Sequence, residues 1–128
     1  MSDTFKIRGD YLSQPSSGNP SAYPTVSSPI DETLVLSKTP LTAEYVLTAD
    51  AAQDVAFGHI SNAHVVIIKT VGGKVRVRLT SADGSQQSIP VDSLLVLISQ
   101  SVPFTALDLT RVTGVQTNVK VLLGERAQ

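Results

Sequence analysis

The chain has 128 residues, the size of one domain, and 41% of them are hydrophobic. The charge is almost balanced, with 10 basic against 11 acidic residues, so no basic surface for nucleic acid is expected. Cysteine is absent, which excludes disulfides, thiolate catalysis and cysteine-ligated zinc. No apolar run approaches the roughly 18 residues of a membrane-spanning helix, and no apolar leader flanked by basic residues opens the sequence. We therefore expect no nucleic acid and no membrane as a partner, and synthesis in the cytoplasm.

The first quarter of the chain, residues 1–31, is rich in proline and serine and predicts an extended arm. Proline fixes φ and lacks an N–H donor, so the segment favours extended backbone and does not suit a central strand. Two interpretations fit: a disordered tail, or an arm that becomes ordered along a neighbouring subunit. Apolar residues spaced through the segment favour the second interpretation. They are Phe5, Ile7, Tyr11, Leu12, Tyr23, Val26 and Ile30.

Residues 32–128 predict a single all-β domain. Short runs rich in Val, Leu and Thr alternate with turn residues and give about eight or nine strands. This pattern is typical of an antiparallel β-sandwich, and a jelly roll is one form of it. In the run from Lys74 to Thr80, apolar and basic residues alternate, so one face is expected in the core. Pro90 marks the strand from Gln86 to Val91 as an edge strand.

The segment Val71-Gly72-Gly73 predicts a tight hairpin. Two glycines readily adopt the positive φ angles that short hairpin turns require. The strands on either side, His64 to Thr70 and Lys74 to Thr80, are therefore expected to pair with each other.

Two predicted strands are apolar at successive positions, Val65 to Ile68 and Leu94 to Ile98. Such strands are covered on both faces, whereas the outer faces of a two-layer sandwich normally meet water. The arm, a loop or another subunit would have to cover the outer positions. We favour another subunit or its arm, because burial of each aliphatic side chain is worth roughly 1.5 to 3 kcal/mol. Leu95, Ile98 and Leu122 are the predicted outer-face contacts.

Candidate catalytic residues are few. His59 and His64 are the only histidines, and neither has the neighbouring carboxylate and His-x-His spacing of a metal site. Most aspartates lie in predicted turns, where they accept backbone hydrogen bonds. Gly72-Gly73 lacks the Lys-Thr/Ser of a phosphate-binding loop. We expect no catalytic residue, no metal and no cofactor.

A strand ending in the apolar run Leu94 to Ile98, the phrase Ala106-Leu-Asp-Leu-Thr110 and a short closing strand follow one another in the last third of the chain. In this order the segment from Gln86 to Gly124 resembles small virion proteins of tailed bacteriophages. The resemblance implies a head decoration or cement protein, or a related fibre or tail component. It further implies an oligomer, often a trimer, that binds the major capsid protein through apolar surface and extended arms, without catalytic residues.

The expected function is thus that of a phage structural protein in the virion, which binds and stabilises the assembled head. The alternative is a fibre or tail-associated module that binds a receptor or carbohydrate, although the sparse aromatic residues do not favour it. A small hydrolase or a metal-dependent, cupin-like enzyme is a third class. We expect self-association and binding to the major capsid protein. The predicted contact residues are Phe5, Ile7, Tyr11, Tyr23, Ile30, Leu95, Ile98 and Leu122.

Overall fold

A computed structural model describes residues 3–13, 26–112 and 114–127, with only the backbone described at residues 3, 8–13 and 26–32. These residues form ten β-strands. The strands are β1 (Asp3–Ser13), β2 (Val26–Leu36), β3 (Leu41–Leu47), β4 (Gln53–Asp54), β5 (Val65–Val71), β6 (Val75–Ser81), β7 (Gln86–Val91), β8 (Leu94–Ile98), β9 (Phe104–Arg111) and β10 (Thr117–Gly124). In the described part of the chain, no helix has the length and apolarity needed to cross a membrane.

Strands β3 to β10 form two four-stranded antiparallel sheets. Sheet I has the order β3-β10-β5-β8, and sheet II has the order β4-β9-β6-β7. The pairs β3–β10, β4–β9, β5–β8 and β6–β7 are nested about the turn between β6 and β7. A long ribbon folded in this way and wrapped into two sheets is a jelly roll. The predicted all-β antiparallel sandwich is confirmed.

The core lies between the two sheets and is aliphatic. In β6, Val75, Val77 and Leu79 are buried, and the intervening arginines are exposed, as the alternating sequence predicted. In β10, Val119, Val121 and Leu123 are buried and share the face that packs against them. Among the described strands, the proline-containing strand β7 pairs only with β6, so its position at a sheet edge is also confirmed.

The strands β1 and β2 form a separate two-stranded antiparallel hairpin. Each strand has 11 residues, a length of about 35 Å. Within the arm predicted for residues 1–31, the described residues 3–13 and 26–31 are extended and pair with each other, and β2 continues past Asp31 to Leu36. Pro29 lies opposite Asp10, and no other described strand pairs with β1 or β2, so this position tolerates the missing N–H.

The base of the hairpin is joined to the carboxyl-terminal segment that follows β10. The N–H of Ser37 donates to the carbonyl of Glu125 at 2.9 Å, and the N–H of Ala127 donates to the carbonyl of Val35 at 2.7 Å. Leu36 and Arg126 form a β-bridge between these two bonds. The end of the chain thus continues the hairpin's hydrogen-bonding pattern and fixes its base to sheet I.

The hairpin predicted around Val71-Gly72-Gly73 is wrong. Strand β5 belongs to sheet I and β6 to sheet II, so this segment turns a corner between the sheets. Gly72 has φ +96°, and a Cβ atom there would lie 3.1 Å from the carbonyl oxygen of Gln116. Gly72 supplies the expected positive φ. Long-range pairing with β8, β9 and β10 decides the strand partners, and a local turn signal does not contain that information.

The corner at Gly72 gives a matched pair of substitutions. Gly72→Ala and Gly84→Ala both place a side chain at positive φ, but nothing lies within 4 Å of the Cβ position at Gly84. We expect a loss of about 1 kcal/mol in the free energy of unfolding for Gly84→Ala and of about 2 to 3 kcal/mol for Gly72→Ala. Urea unfolding measures both losses. Equal losses would contradict the close approach of the Gln116 carbonyl.

Candidate functional site: the outer face of sheet I

The two outer faces of the sandwich differ in chemistry. The outer face of sheet II is polar, and Arg78 donates from Nη2 to Oδ2 of Asp108 at 2.6 Å across β6 and β9. The outer face of sheet I is mostly aliphatic. An outer sheet face of this kind is unusual for a surface in contact with water, and it is the best candidate for an interaction surface.

The strand register places the outward side chains of sheet I in four rows. Residues that pair across antiparallel strands share a face, and the inward residues are those in the core between the sheets. From the hairpin end, the rows are Gly124, Val65 and Ile98; Thr42, Leu122, Ile67 and Val96; Glu44, Lys120, Lys69 and Leu94; and Val46, Asn118 and Val71.

The base of the hairpin covers the first row. Leu34 and Leu36 are buried and form a second hydrophobic cluster with Val65, separate from the core between the sheets. Phe5, Ile67, Ile98 and Leu122 are partly buried against this cluster. The chain therefore covers one end of its own apolar face with residues from its predicted arm and the strand that follows it.

The hairpin base makes this contact with sheet I at Gly124. A Cβ atom at Gly124 would lie 3.4 Å from Cδ2 of Leu36 and 3.4 Å from Cβ of Val65. The absence of a side chain lets Leu36 approach the sheet closely, at the site where the hairpin base crosses β10. No feature of the local sequence distinguishes this glycine from one that ends a strand.

The rest of the outer face is open, apart from Ile67 and Leu122 in the second row, which pack against the hairpin base. Leu94 is 58% exposed, Val96 40%, Val71 57% and Val46 58%. A groove of about 420 Å³ lies over the middle of the sheet. It is lined by Thr42, Ala43, Glu44, Ile67, Lys69, Lys120, Val121 and Leu122. Its polar part contains the exposed ion pair between Lys120 and Glu44, 3.5 Å apart, which adds little stability.

Some of the predicted contact residues lie in this region. Ile98 and Leu122 are on the outer face as predicted, but they pack against the hairpin of their own chain. Phe5 packs in the same cluster, and Ile7 is half-buried in β1.

The outer-face assignment of Leu95 is wrong. Leu95 pairs with the core residue Ile68 and packs against the core between the sheets. Its neighbours in β8, Leu94 and Val96, occupy the outer face instead. Every position of β8 is aliphatic, so the sequence of the strand gives no sign of which residues face outward.

The other predicted arm contacts lie largely outside the described side chains. The backbone of Tyr11 lies in β1 opposite Ser28, and that of Ile30 lies in β2 opposite Gly9. Tyr23 lies outside the described residues. Their role as contacts stays a prediction. Sequence reasoning missed Leu34 and Leu36 as contact residues, because Leu34, Val35 and Leu36 are consecutive aliphatic residues and their sequence gives no sign of which side is buried.

A polar cluster beneath the hairpin base holds the carboxyl-terminal segment in place. Oε1 of Glu125 accepts the N–H groups of Ser61 at 2.8 Å and Asn62 at 3.0 Å, and Oε2 lies 3.4 Å from Nζ of Lys38. Burial raises the pKa of the Glu125 carboxyl, but these donors outweigh it, and the pKa lies below its ordinary value.

His64 completes the cluster as a neutral acceptor. Its Nδ1 accepts the N–H of Arg126 at 3.0 Å, the residue that bridges to Leu36. Burial lowers the pKa of His64, and the Arg126 guanidinium lowers it further, which together outweigh the opposing effects of Glu125 and the Asn62 backbone. The geometry assigns His64 a structural contact at the hairpin base. Among the described residues, no group of three or more His, Cys, Asp or Glu is placed to hold a metal ion.

Comparison of the chain with protein-family models, with curated proteins and with solved structures found no match.

The close approach of Leu36 to Gly124 predicts different effects for two substitutions. Gly124→Ala places Cβ at ordinary contact distance and should leave the hairpin base docked. Gly124→Val adds two methyl groups in the space of Leu36 and should lower the free energy of unfolding by about 2 kcal/mol through overpacking. We expect faster hydrogen exchange at the amides of Ser37 and Ala127, which bond the hairpin base to the carboxyl-terminal segment, in the valine variant only. Equal exchange in the two variants would refute the docking contact.

The lowered pKa of His64 makes stability depend on pH. The unfolded chain binds a proton near the ordinary histidine pKa of 6.5, whereas the folded chain binds it only at lower pH. The contribution to stability is therefore complete above pH 6.5 and is lost as pH falls from there towards the lower folded-state pKa. Urea unfolding at a series of pH values should show this decline, and His64→Gln should remove it.

The exposed His59 supplies the control for this experiment. His59→Gln should retain the decline, because it leaves the bond between His64 and Arg126 intact. A decline of the same size in the His64→Gln variant would show that another group causes it.

Proposed function

We propose that this chain is a structural protein of a tailed-bacteriophage virion that binds the assembled head and stabilises it. The observation that carries the proposal is the aliphatic outer face of sheet I, covered at one end by the base of a long hairpin and otherwise open. A catalytic protein has no need of such a face, whereas an assembly protein needs apolar surface that another subunit covers.

The fold supports the proposal at the level of architecture. Jelly rolls occur in viral capsid proteins and also in lectins and cupins, so the fold alone does not select among these functions. The carboxyl-terminal resemblance to small phage virion proteins favours the first class. The described residues offer no cluster of exposed aromatic side chains with acids for a sugar, since Phe104 is buried and Tyr45 and Phe57 are half-buried.

The proposed mechanism is reinforcement by selective binding. A protein that contacts neighbouring capsid subunits only in the assembled, expanded head stabilises that state by mass action. The open rows of the outer face of sheet I would contact the major capsid protein, and the hairpin would extend the contact along the shell. Phe5 and Ile7, both half-buried at the start of the hairpin, lie where the two contacts meet.

Binding to heads tests the proposal. Expanded heads assembled without this chain, from the virus that encodes it, are mixed with the purified protein and sedimented. We expect saturable binding and a higher melting temperature for the heads. Absence of binding, or instead saturable binding to a glycan, would contradict the proposal.

The contribution of the outer face of sheet I is tested by two matched substitutions. Val71→Lys places a charge in its fourth row, and Val112→Lys places the same charge at a comparably exposed valine elsewhere, since these residues are 57% and 46% exposed. We expect Val71→Lys to weaken binding to heads at least about tenfold, because a lysine ammonium would lose water at an apolar contact. Val112→Lys should bind like the parent chain. Equal binding by both variants would exclude this face as the contact surface.

A further inference from the structure

Strand β8 combines a fully aliphatic sequence with incomplete burial. Its residues are Leu94, Leu95, Val96, Leu97 and Ile98, and none of the five is buried. By contrast, the neighbouring strand β5 buries four of its seven residues. Strand β8 pairs with β5 on one side, and no described strand pairs with its other side. An uncovered aliphatic edge is a surface on which a further strand can add.

The hydrogen bonds to β5 determine which main-chain groups of β8 remain free. Ser99 donates to the carbonyl of His64, and Thr70 donates to the carbonyl of Ser93, both at 2.8 Å. In an antiparallel pair the bonded residues alternate, so Leu95 and Leu97 also face β5. The N–H and C=O groups of Leu94, Val96 and Ile98 therefore point away from the sheet, towards the open edge.

The other edges of the two sheets carry features that oppose strand addition. Edge strand β3 has Glu44 at its centre, and β7 contains Pro90, which has no N–H to donate. Strand β4 has only two residues. Charge, proline and short length are the devices by which proteins protect sheet edges. Strand β8 has none of these protective features. It has no charged residue and no proline, and its five consecutive residues are all in register with β5.

We propose that β8 pairs with β8 of a second copy of this chain, antiparallel and centred on a two-fold axis at Val96. In this register Val96 lies opposite Val96 of the partner, and Leu94 lies opposite Ile98. All three residues with free main-chain groups then exchange both hydrogen bonds with their partners, which gives about six bonds. If the axis lay at Leu95 instead, Ile98 would lie opposite Asp92, and the three residues would no longer all pair within β8.

The pairing makes one continuous sheet of eight strands from the two copies of sheet I. It extends the outer face of sheet I across the axis, with Leu94, Val96 and Ile98 beside their counterparts. It also covers the half-buried Leu95 and Leu97 at the edge of the core. Because β8 carries no charge, no like-charge repulsion arises where the strand meets itself. The second copy is thus argued from matching main-chain groups and from the charge-free edge.

The inference does not rest on the proposed function, because the pairing needs no capsid. It also differs from the trimer that the phage resemblance implies, since a two-fold axis produces a dimer. If the purified chain forms the dimer but does not bind heads, the proposed function fails and the pairing of β8 stands. If it binds heads but stays monomeric, the pairing of β8 fails and the proposed function stands.

A charge-exchange experiment tests the register. In Val96→Lys, two lysines would face each other across the axis, and in Val96→Glu, two glutamates would do so. We expect the dimer dissociation constant of each variant, measured by sedimentation equilibrium, to rise at least about tenfold. An equimolar mixture of the two variants should form a mixed dimer, because lysine then faces glutamate. Failure of the mixture to dimerise, or dimers in each variant alone, would overturn the register.

Two further variants separate pairing from folding. Val96→Pro removes an N–H that β5 does not use, so the fold should remain intact and the dimer should be lost. Val46→Lys places the same charge on the opposite edge of sheet I, at a valine that is 58% exposed, and should leave the dimer unchanged. Circular dichroism and thermal unfolding report the fold of each variant. A folded Val96→Pro variant that still dimerises would refute the pairing through β8.

Discussion

The structure depends on the contact of Leu34 and Leu36 with the outer face of sheet I. A two-layer sandwich buries one face of each sheet, yet sheet I is aliphatic on both faces. The hairpin base supplies the missing layer over Val65 and Gly124 and forms a small second core. Because several apolar side chains meet there, each worth roughly 1.5 to 3 kcal/mol when fully buried, this contact is the main force that positions the hairpin.

The carboxyl-terminal segment makes the contact specific. Hydrogen bonds from Ser37 and Ala127 join it to the hairpin, and Glu125 and His64 fix it to the loop before β5. The beginning and the end of the described chain therefore stabilise each other at one end of sheet I. This arrangement couples the position of the hairpin to the protonation of a buried histidine, although the two lie in separate regions of the sequence.

The sequence predicted the strands well because alternation is a local property. The apolar run of β8, the buried face of β6 and the edge position of β7 all followed from residues close in the chain. The strand partners could not be predicted in this way, because the same Gly-Gly segment can form either a hairpin turn or a corner between two sheets. The side of Leu95 could not be predicted either, because an aliphatic strand has no pattern that distinguishes its faces. The favoured prediction was that another subunit or its arm covers the outer face, whereas Leu34 and Leu36 of the same chain cover one end of it.

The central claim is that one end of the outer face of sheet I is covered by the chain itself and that the β8 edge requires a second chain. Hydrogen exchange of the full-length protein, measured over a range of protein concentrations, tests both parts together. The account predicts that the amides of Ser37 and Ala127, which bond the hairpin base to the carboxyl-terminal segment, are protected at every concentration. It predicts that the amides of Leu94, Val96 and Ile98 become protected only as concentration rises. Protection of these three amides in the most dilute sample, or none at any concentration, would contradict it.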